Sequence, residues 1–337
     1  MILTLNASAN EADIYKIKEK IHSLGLEIYE LIGLDYHILG IKGNIDLLDL
    51  KELEENKAVD KVMPIEVSQM KASRLYKSED TIIDVKNQKI GGRKLAVIAG
   101  PCSVESKDQI LSIAKFVKQQ GANFLRGGAF KPRTSPYTFQ GLGDEGIELL
   151  KYASEQTGLP IVTEIMSINH IDQFVENVDI IQVGARNMQN YELLRELGKV
   201  NKPILLKRGI SATIEEFLLS AEYILAGGNE NVILCERGIR TFEKFTRNTL
   251  DLSAVPALKK LSHLPVIVDP SHSTGLWWMV ESLSKASISV GADGLMIEVH
   301  NEPEKALSDG NQSLKPDNFA NLMKKIKPLA QLEGREI

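Results

Sequence analysis

Along residues 1–65 the apolar positions change period several times, and each change marks an element. "MILTLN" (1–6) predicts a strand, and residues 10–24 place Ile14, Ile17, Ile21 and Leu24 on one face of an amphipathic helix. "EIYELI" (27–32) and "YHILGIK" (36–42) predict two strands around a turn at Gly33, Leu34 and Asp35. "NIDLLDLKELEEN" (44–56) predicts a second helix and "VDKVMPI" (59–65) a fourth strand. The order βαββαβ predicts a ferredoxin-like domain over residues 1–66. A polar linker follows over residues 67–80, most of it the stretch "SQMKASRLYKSED".

From residue 81 the pattern is different. "TIIDVKNQKIGG" predicts a hairpin, and eight short apolar runs then recur. They are "KLAVIAG", "NFLRGG", "PIVTE", "DIIQVG", "PILLKRG", "NVILCERG", "LPVIVDPSH" and "GLMIEVH". Helical patterns such as "DQILSIAKFVKQQG" and "IEEFLLSAEYILAGG" separate them, several ending in glycine. Eight β–α repeats over about 250 residues are the count and length of a TIM barrel. The expected fold is therefore α/β, a (β/α)8 barrel over residues 81–337 behind the ferredoxin-like domain. A doubly wound open sheet would more usually need six or seven strands.

Charge and composition narrow the function. Forty basic against forty-five acidic residues give a net charge of −5, which leaves nucleic-acid or anionic-membrane binding without an electrostatic footprint. No apolar stretch approaches a membrane span, and "MILTLNASANEADIYK" lacks the regions of a signal peptide, so a cytoplasmic protein is expected. Cys102 and Cys235 lie far apart without CxxC spacing, which argues against a disulfide framework.

The chemistry gathers where the strands end, which in such a barrel is the active-site face. The first run ends in Cys102 and the second in Arg126, with Lys131 and Arg133 in the loop "AFKPRTS". The third ends in Glu164, the fourth in Gly184-Ala185-Arg186, and the fifth in Lys207 and Arg208. The sixth ends in Glu236 and Arg237, the seventh in Asp269 and His272, and the eighth in Glu298 and His300. Any one of these alone reads as a solvated loop residue. Six or seven cations converging on one mouth point to a site for more than one phosphate or carboxylate. Arg208 is the weakest member, because alternation turns it away from the side of Lys207.

Cys102, His272 and Glu298 come from strands that are neighbours around a closed barrel, and a thiolate, an imidazole and a carboxylate form a metal-ligand set. Asp309, in "EKALSDGNQS", is a candidate fourth ligand. Cys235, inside an apolar strand, reads as a small buried hydrophobe. His22, His37, His170 and His263 have no ligand-like setting. "GLGDEG" (141–146) fits G-x-G-x-x-G but follows a proline-broken loop rather than a strand, which argues against a dinucleotide site.

Taken in order, "GPCSVES", "LRGGAFKPRTSPYTFQGLG", "QVGARNMQN", "LLKRG", "CERGIRTFEK", "VDPSHS", and "IEVH" with "ALSDGNQSL" resemble 3-deoxy-D-arabino-heptulosonate 7-phosphate (DAHP) synthase. The resemblance is to the smaller-barrel subgroup related to 3-deoxy-manno-octulosonate 8-phosphate synthase, and spans about residues 80 to 330. The N-terminal unit resembles the regulatory domain that some members carry. The resemblance implies condensation of phosphoenolpyruvate with erythrose 4-phosphate, the first step toward chorismate and the aromatic amino acids. It implies one divalent metal (Mn, Fe, Zn or Co) on Cys102, His272, Glu298 and Asp309. Phosphoenolpyruvate would be held by Arg126, Lys131, Arg186, Lys207 and Arg237, beside Gly184 and Ala185, and the aldose phosphate by Arg133, Thr134 and Ser135. Lys131 would donate a proton or a hydrogen bond to the developing alkoxide and Glu164 would position water.

A phenylalanine or tyrosine effector and a homo-oligomer, dimer or tetramer, are further expectations from the family. One departure is "TGLWWMVES" after "DPSHS", where relatives often carry glycine and basic residues; Trp277 and Trp278 read as helix-face packing or a subunit contact. The octulosonate synthase typically has Asn-Arg-Ser-Ser where this chain has "KPRTS", which disfavours it. A non-catalytic metabolite-sensing barrel would have lost its metal ligands, and all four are present.

Overall fold

A computed structural model describes residues 1–6, 8–33, 37–63, 70–132 and 135–337. The predicted turn residues Leu34 and Asp35, and the candidate residues Arg133 and Thr134, lie outside the described residues. The chain divides into two units, Met1–Glu79 with Lys260–His263, and Asp80–Lys259 with Leu264–Ile337.

The first unit contains β1 (Ile2–Leu5), α1 (Glu11–Ser23), β2 (Glu27–Ile32), β3 (His37–Lys42), α2 (Leu50–Glu54) and β4 (Val59–Met63). Its sheet has the order β2-β3-β1-β4 with every pairing antiparallel, the ferredoxin-like arrangement. Asn10 caps α1 by accepting the Asp13 N–H, and Ile14, Ile17 and Ile21 pack into one core with Leu3, Leu39 and Ile41. The predicted helix over 44–56 is instead split. A 3-10 turn covers Ile45–Leu47, and α2 begins only after Asp49, whose carboxylate accepts from the backbone of Lys51 and Glu52. An extended aspartate that caps a helix cannot also continue one, which explains the break.

The second unit opens with the hairpin β5 (Ile83–Val85) and β6 (Gln88–Ile90), turned by Lys86 and Asn87 at φ 47° and 67°. Then come β7 (Ala96–Gly100), α3 (Lys107–Gln120), β8 (Phe124–Arg126), α4 (Asp144–Thr157), β9 (Ile161–Ile165) and α5 (Ile171–Asn177). They are followed by β10 (Ile180–Val183), α6 (Tyr191–Leu197), β11 (Ile204–Lys207), α7 (Ile214–Ala226), β12 (Val232–Glu236) and α8 (Ala254–Leu261). The unit ends with β13 (Val266–Val268), α9 (Pro270–Thr274), α10 (Trp277–Ser289), β14 (Gly294–Glu298) and α11 (Pro316–Leu332). Strands β7 to β14 pair in parallel and close, β14 beside β7. This is the expected (β/α)8 barrel.

The hairpin fixes which mouth is open. Ile83, Val85 and Ile90 pack into the barrel interior against residues such as Ile98, Phe124 and Ile180. Lys86 pairs with Asp179 at 2.9 Å, and Asn123 donates to Gln88 at 3.4 Å. Asn123 and Asp179 immediately precede β8 and β10, so the hairpin plugs the N-terminal end and leaves the C-terminal mouth for chemistry. Cys235 belongs to the same buried interior, where desolvation raises its thiol far above the ordinary value, as a structural cysteine requires. At that open mouth β7 and β8 come very close. A Cβ on Gly100 (φ +153°) would stand 2.0 Å from the Arg126 carbonyl oxygen, so glycine is required just before the segment that delivers Cys102. Among the described residues, no helix is long and apolar enough to cross a membrane.

Candidate active site at the open mouth of the barrel

Four side chains meet at this mouth. One ligand atom from each of Cys102, His272, Glu298 and Asp309 lies within 4.8 Å of all the others, a group that could hold a metal ion. The Cys102 thiol donates to Asp309 Oδ2 at 3.2 Å, and His272 Nε2 faces Glu298 Oε1 at 3.1 Å. Asp269 sets the imidazole: its Oδ2 is 2.7 Å from His272 Nδ1, and its Oδ1 accepts the His272 backbone N–H at 2.9 Å. Asp269 is the N-cap of α9, so the same carboxylate starts the short helix and orients the ring it carries. That contact places the Nδ1 proton toward Asp269 and leaves the Nε2 lone pair toward Glu298.

Burial and charge prepare these groups for a cation. Burial pushes the Cys102 thiol up to about 12, Glu298 and Asp309 add to the rise, and Lys131 opposes it. Burial also pulls the His272 imidazole below its ordinary value, against the pull of Asp269 and Glu298, so the ring is neutral near pH 7. For Asp309, burial is outweighed by His272 and Arg247, and its carboxyl sits at about 2. Glu298 is likewise held below the usual range, burial being outweighed by His272 and Arg126. Two ionised carboxylates, a neutral imidazole and a thiol form the mixed O, N, S donor set of a first-row divalent ion, and the residues fit one.

The cations divide into those already paired and those facing the cavity. Arg126 donates to Glu298, and Lys207 donates to Asp269, each ion pair almost wholly buried. Arg208 points elsewhere, pairing with Glu236 and Asp251 at 2.9 Å, and is a structural cation. Lys131 donates to the Cys102 carbonyl at 2.9 Å and lies 3.2 Å from its sulfur. A cavity beside the ligand group is lined by Lys131, Glu164, Gly184, Ala185, Arg186, Lys207 and Arg237, together with His272 and Asp309. Arg237 is 6% exposed, and one of its terminal nitrogens is buried without a hydrogen-bond partner. Burial lowers its pKa, the mark of a cation short of compensation.

Glu164 is held by Gln182, whose amide donates to it at 3.4 Å. Gly184 makes room for it, since a Cβ there would come within 1.9 Å of Glu164 Oε1. Gly128 does the same for Lys131, whose Nζ would be 2.8 Å from a Cβ at that position. Ser135 is not among the described residues lining the cavity; its carbonyl accepts the Thr138 hydroxyl at 2.9 Å. Trp277 and Trp278 are about half exposed at the start of α10. "GLGDEG" leads into α4 from the loop after β8, and His170 stacks on Phe130 at 4.5 Å between ring centres.

Two contributors, Gln312 and Arg247, are absent from the sequence-based candidates, and a third, Asp269, stands among the strand-end residues without a role. Asp269 orients His272, Gln312 donates to Glu298 Oε2 at 2.7 Å, and Arg247 reaches Asp309 at 3.4 Å and Gln312 at 3.3 Å. Only Asp269 carried a signal, its place three residues before His272 at the start of a helix with proline at its first position.

Known proteins resemble this chain over both of its units. The DAHP synthetase I family matches residues 70–332, and the DAHP synthase ferredoxin-like domain matches residues 1–67. Phospho-2-dehydro-3-deoxyheptonate aldolase of Thermotoga maritima is 48% identical over 337 residues, the whole of both chains. The 2-dehydro-3-deoxyphosphooctonate aldolase of Geobacter sulfurreducens is 34% identical over 268 residues, covering 73% of this chain and 97% of its own. A crystal structure of the Thermotoga maritima phospho-2-dehydro-3-deoxyheptonate aldolase (DAHP synthase) matches with a TM-score of 0.79 at 47% identity, covering 99% of this chain and 98% of that one. A truncated form of 3-deoxy-D-arabino-heptulosonate 7-phosphate synthase from Thermotoga maritima matches with a TM-score of 0.74 at 51% identity, over 79% and 97% of the two chains. With its barrel and its N-terminal domain both matched, the chain belongs to the DAHP synthetase I family.

Proposed function

We propose that this chain condenses phosphoenolpyruvate with D-erythrose 4-phosphate and water to give DAHP and inorganic phosphate, the first step toward chorismate and the aromatic amino acids. The observation that carries the reading is Arg237, a buried guanidinium with an unpartnered nitrogen, in a cavity that also holds Arg186 and Lys207. A cation removed from water needs an anion, and phosphoenolpyruvate brings a phosphate and a carboxylate.

In this reading Arg186, Lys207 and Arg237 hold those two groups along the backbone of Gly184 and Ala185, with Arg126 behind Glu298 adding positive potential. Cys102, His272, Glu298 and Asp309 hold one divalent ion of the manganese, iron, cobalt or zinc class, which when bound supplies Lewis-acid polarisation of the aldehyde carbonyl. Arg133, Thr134 and Ser135 take the phosphate of the aldose. C3 of phosphoenolpyruvate forms the new bond to the aldehyde carbon, and Lys131, beside Cys102, gives a proton to the aldehyde oxygen as it gains charge. Water adds to the electron-poor C2, oriented by Glu164, which Gln182 holds in place. The resulting hemiketal phosphate then releases phosphate.

Phosphate release from the two substrates tests the reading. Turnover is expected with erythrose 4-phosphate, with kcat/KM for arabinose 5-phosphate lower by about tenfold or more, the scale set by a displaced polar contact. Chelation should abolish turnover and Mn²⁺ restore it; full activity of the stripped enzyme contradicts the assignment. Arg237→Ala is expected to raise the KM for phosphoenolpyruvate by about 10- to 100-fold, the loss of one or two charge-assisted hydrogen bonds, and to leave that for erythrose 4-phosphate nearly unchanged. An equal rise for both substrates contradicts the role given to Arg237. The ferredoxin-like domain is proposed to bind phenylalanine or tyrosine as an inhibitor. Deleting residues 1–66 should then leave turnover and remove inhibition; an unchanged inhibition curve places the effector in the barrel.

A further inference from the structure

Outside the cavity, one mostly buried carboxylate, Glu105, touches the chain near three of the four ligand residues. Glu105 Oε1 accepts the Leu307 backbone N–H at 2.9 Å and the Ser103 hydroxyl at 3.1 Å, and its Oε2 lies 3.4 Å from His300 Nε2. Ser103 follows Cys102, Leu307 stands two residues before Asp309, and His300 stands two residues after Glu298. The His300 and Glu105 side chains are only 7% and 12% exposed. The Glu302 backbone N–H donates to His300 Nδ1 at 3.1 Å, which leaves the ring proton on Nε2, toward Glu105. Glu105 is itself fixed: its N–H donates to Gln109 Oε1 at 3.1 Å, and Gln109 donates back to the Ser103 carbonyl at 3.0 Å.

We infer that Glu105, clasped by His300, is a positioning residue that holds the loops bearing Cys102, Glu298 and Asp309 in register for the metal ion. The inference rests on the metal reading above. Glu105 does not line the cavity, so it contacts neither substrate nor reacting atoms. What it controls is the segment between His300 and Asp309. Asp309 stands at φ +52°, a left-handed conformation that a residue other than glycine keeps only when its surroundings impose it. The Leu307 N–H bond to Glu105 is one of those constraints. Another is the 3.2 Å contact between the Ser308 hydroxyl and the Cys102 sulfur. A carboxylate that gathers a backbone N–H, a hydroxyl and an imidazole sets the distance between two loops some two hundred residues apart in sequence.

The test uses the full-length protein, stripped by chelation and titrated with Co²⁺ alone. The thiolate-to-cobalt charge-transfer absorbance reports the Cys102 bond, and chelator competition gives Kd. Glu105→Ala is expected to weaken Co²⁺ binding by about 10- to 100-fold, the usual effect of losing a partner behind a metal ligand. The charge-transfer band should shift or weaken, while at saturating metal the KM for phosphoenolpyruvate stays within about twofold of wild type, because the substrate cations are untouched. His300→Gln keeps a donor toward Glu105 and should lose less affinity than Glu105→Ala. A folded Glu105→Ala with wild-type Kd and spectrum overturns the inference. Should that variant fail to fold, Glu105→Gln decides. Its single amide oxygen cannot serve all three donors, so binding weaker by about threefold or more supports the inference and wild-type binding overturns it. Cys102→Ser separates the two levels. If it binds Co²⁺ as wild type does, the metal reading fails; if it binds weakly while the Glu105 variants bind normally, only the positioning role fails.

Discussion

Lone pairs aimed at one another are the constraint on which the rest of this barrel depends. With its proton on Nδ1, His272 turns a bare nitrogen toward the Glu298 carboxylate at 3.1 Å, and a second carboxylate, Asp309, stands in the same group. A bare nitrogen facing a carboxylate oxygen is repulsive, and the two ionised carboxylates, Glu298 and Asp309, repel one another in the same desolvated site. Within the four side chains, the Cys102 thiol relieves part of this by donating to Asp309. Further relief comes from the surroundings: Arg126 on Glu298, Arg247 on Asp309, Lys131 on Cys102, and the Asp269 contact that fixes the ring. Such a group could hold a cation at its centre, at the mouth opposite the end of the closed sheet that the β5–β6 hairpin fills.

The same logic sorts the basic residues. Arg126 and Arg208 each face a buried carboxylate, so their charge is largely used within the protein, while Lys207 pairs with Asp269 and also lines the cavity. Arg237 has a buried nitrogen with no partner among the described residues and stands in the cavity with Arg186. A buried ion pair keeps a local field in place, whereas an uncompensated buried cation costs stability until an anion arrives. That cost is the physical reason for expecting phosphoenolpyruvate to order this side of the mouth before chemistry begins.

Much of this was legible in the sequence because parallel barrel strands are buried on both faces and read as plain apolar runs. Their C-terminal ends fix where side chains such as Cys102, Glu298, Lys207 and Arg237 emerge, so these could be picked out from strand order, whereas Asp309 and Lys131 stand in loops. The break at Asp49 was hidden because the apolar spacing of 44–56 suits one helix, and the cap that interrupts it is a local hydrogen bond that periodicity does not register. The role of Asp269, and the residues Gln312, Arg247 and Glu105 altogether, were missed for a related reason. Their roles depend on which loops meet, and a polar residue in a loop looks the same whether it faces water or holds a ligand. The pairing of Arg208 with Glu236 and Asp251 was equally invisible, although alternation along its strand had already set it apart.

The central claim is that these four side chains form one cation site whose thiol must lose a proton to bind. In the metal-free protein Cys102 holds its proton, with a pKa of about 12, while Asp309, at about 2, and Glu298 are already ionised and His272 is neutral near pH 7. Calorimetric titration with Mn²⁺ at pH 7, repeated in buffers of different ionisation enthalpy, counts the protons released. About one proton per ion is expected, with affinity rising about tenfold per pH unit and with neither effect in Cys102→Ser. Tight binding with no proton release and no dependence on pH would contradict the account.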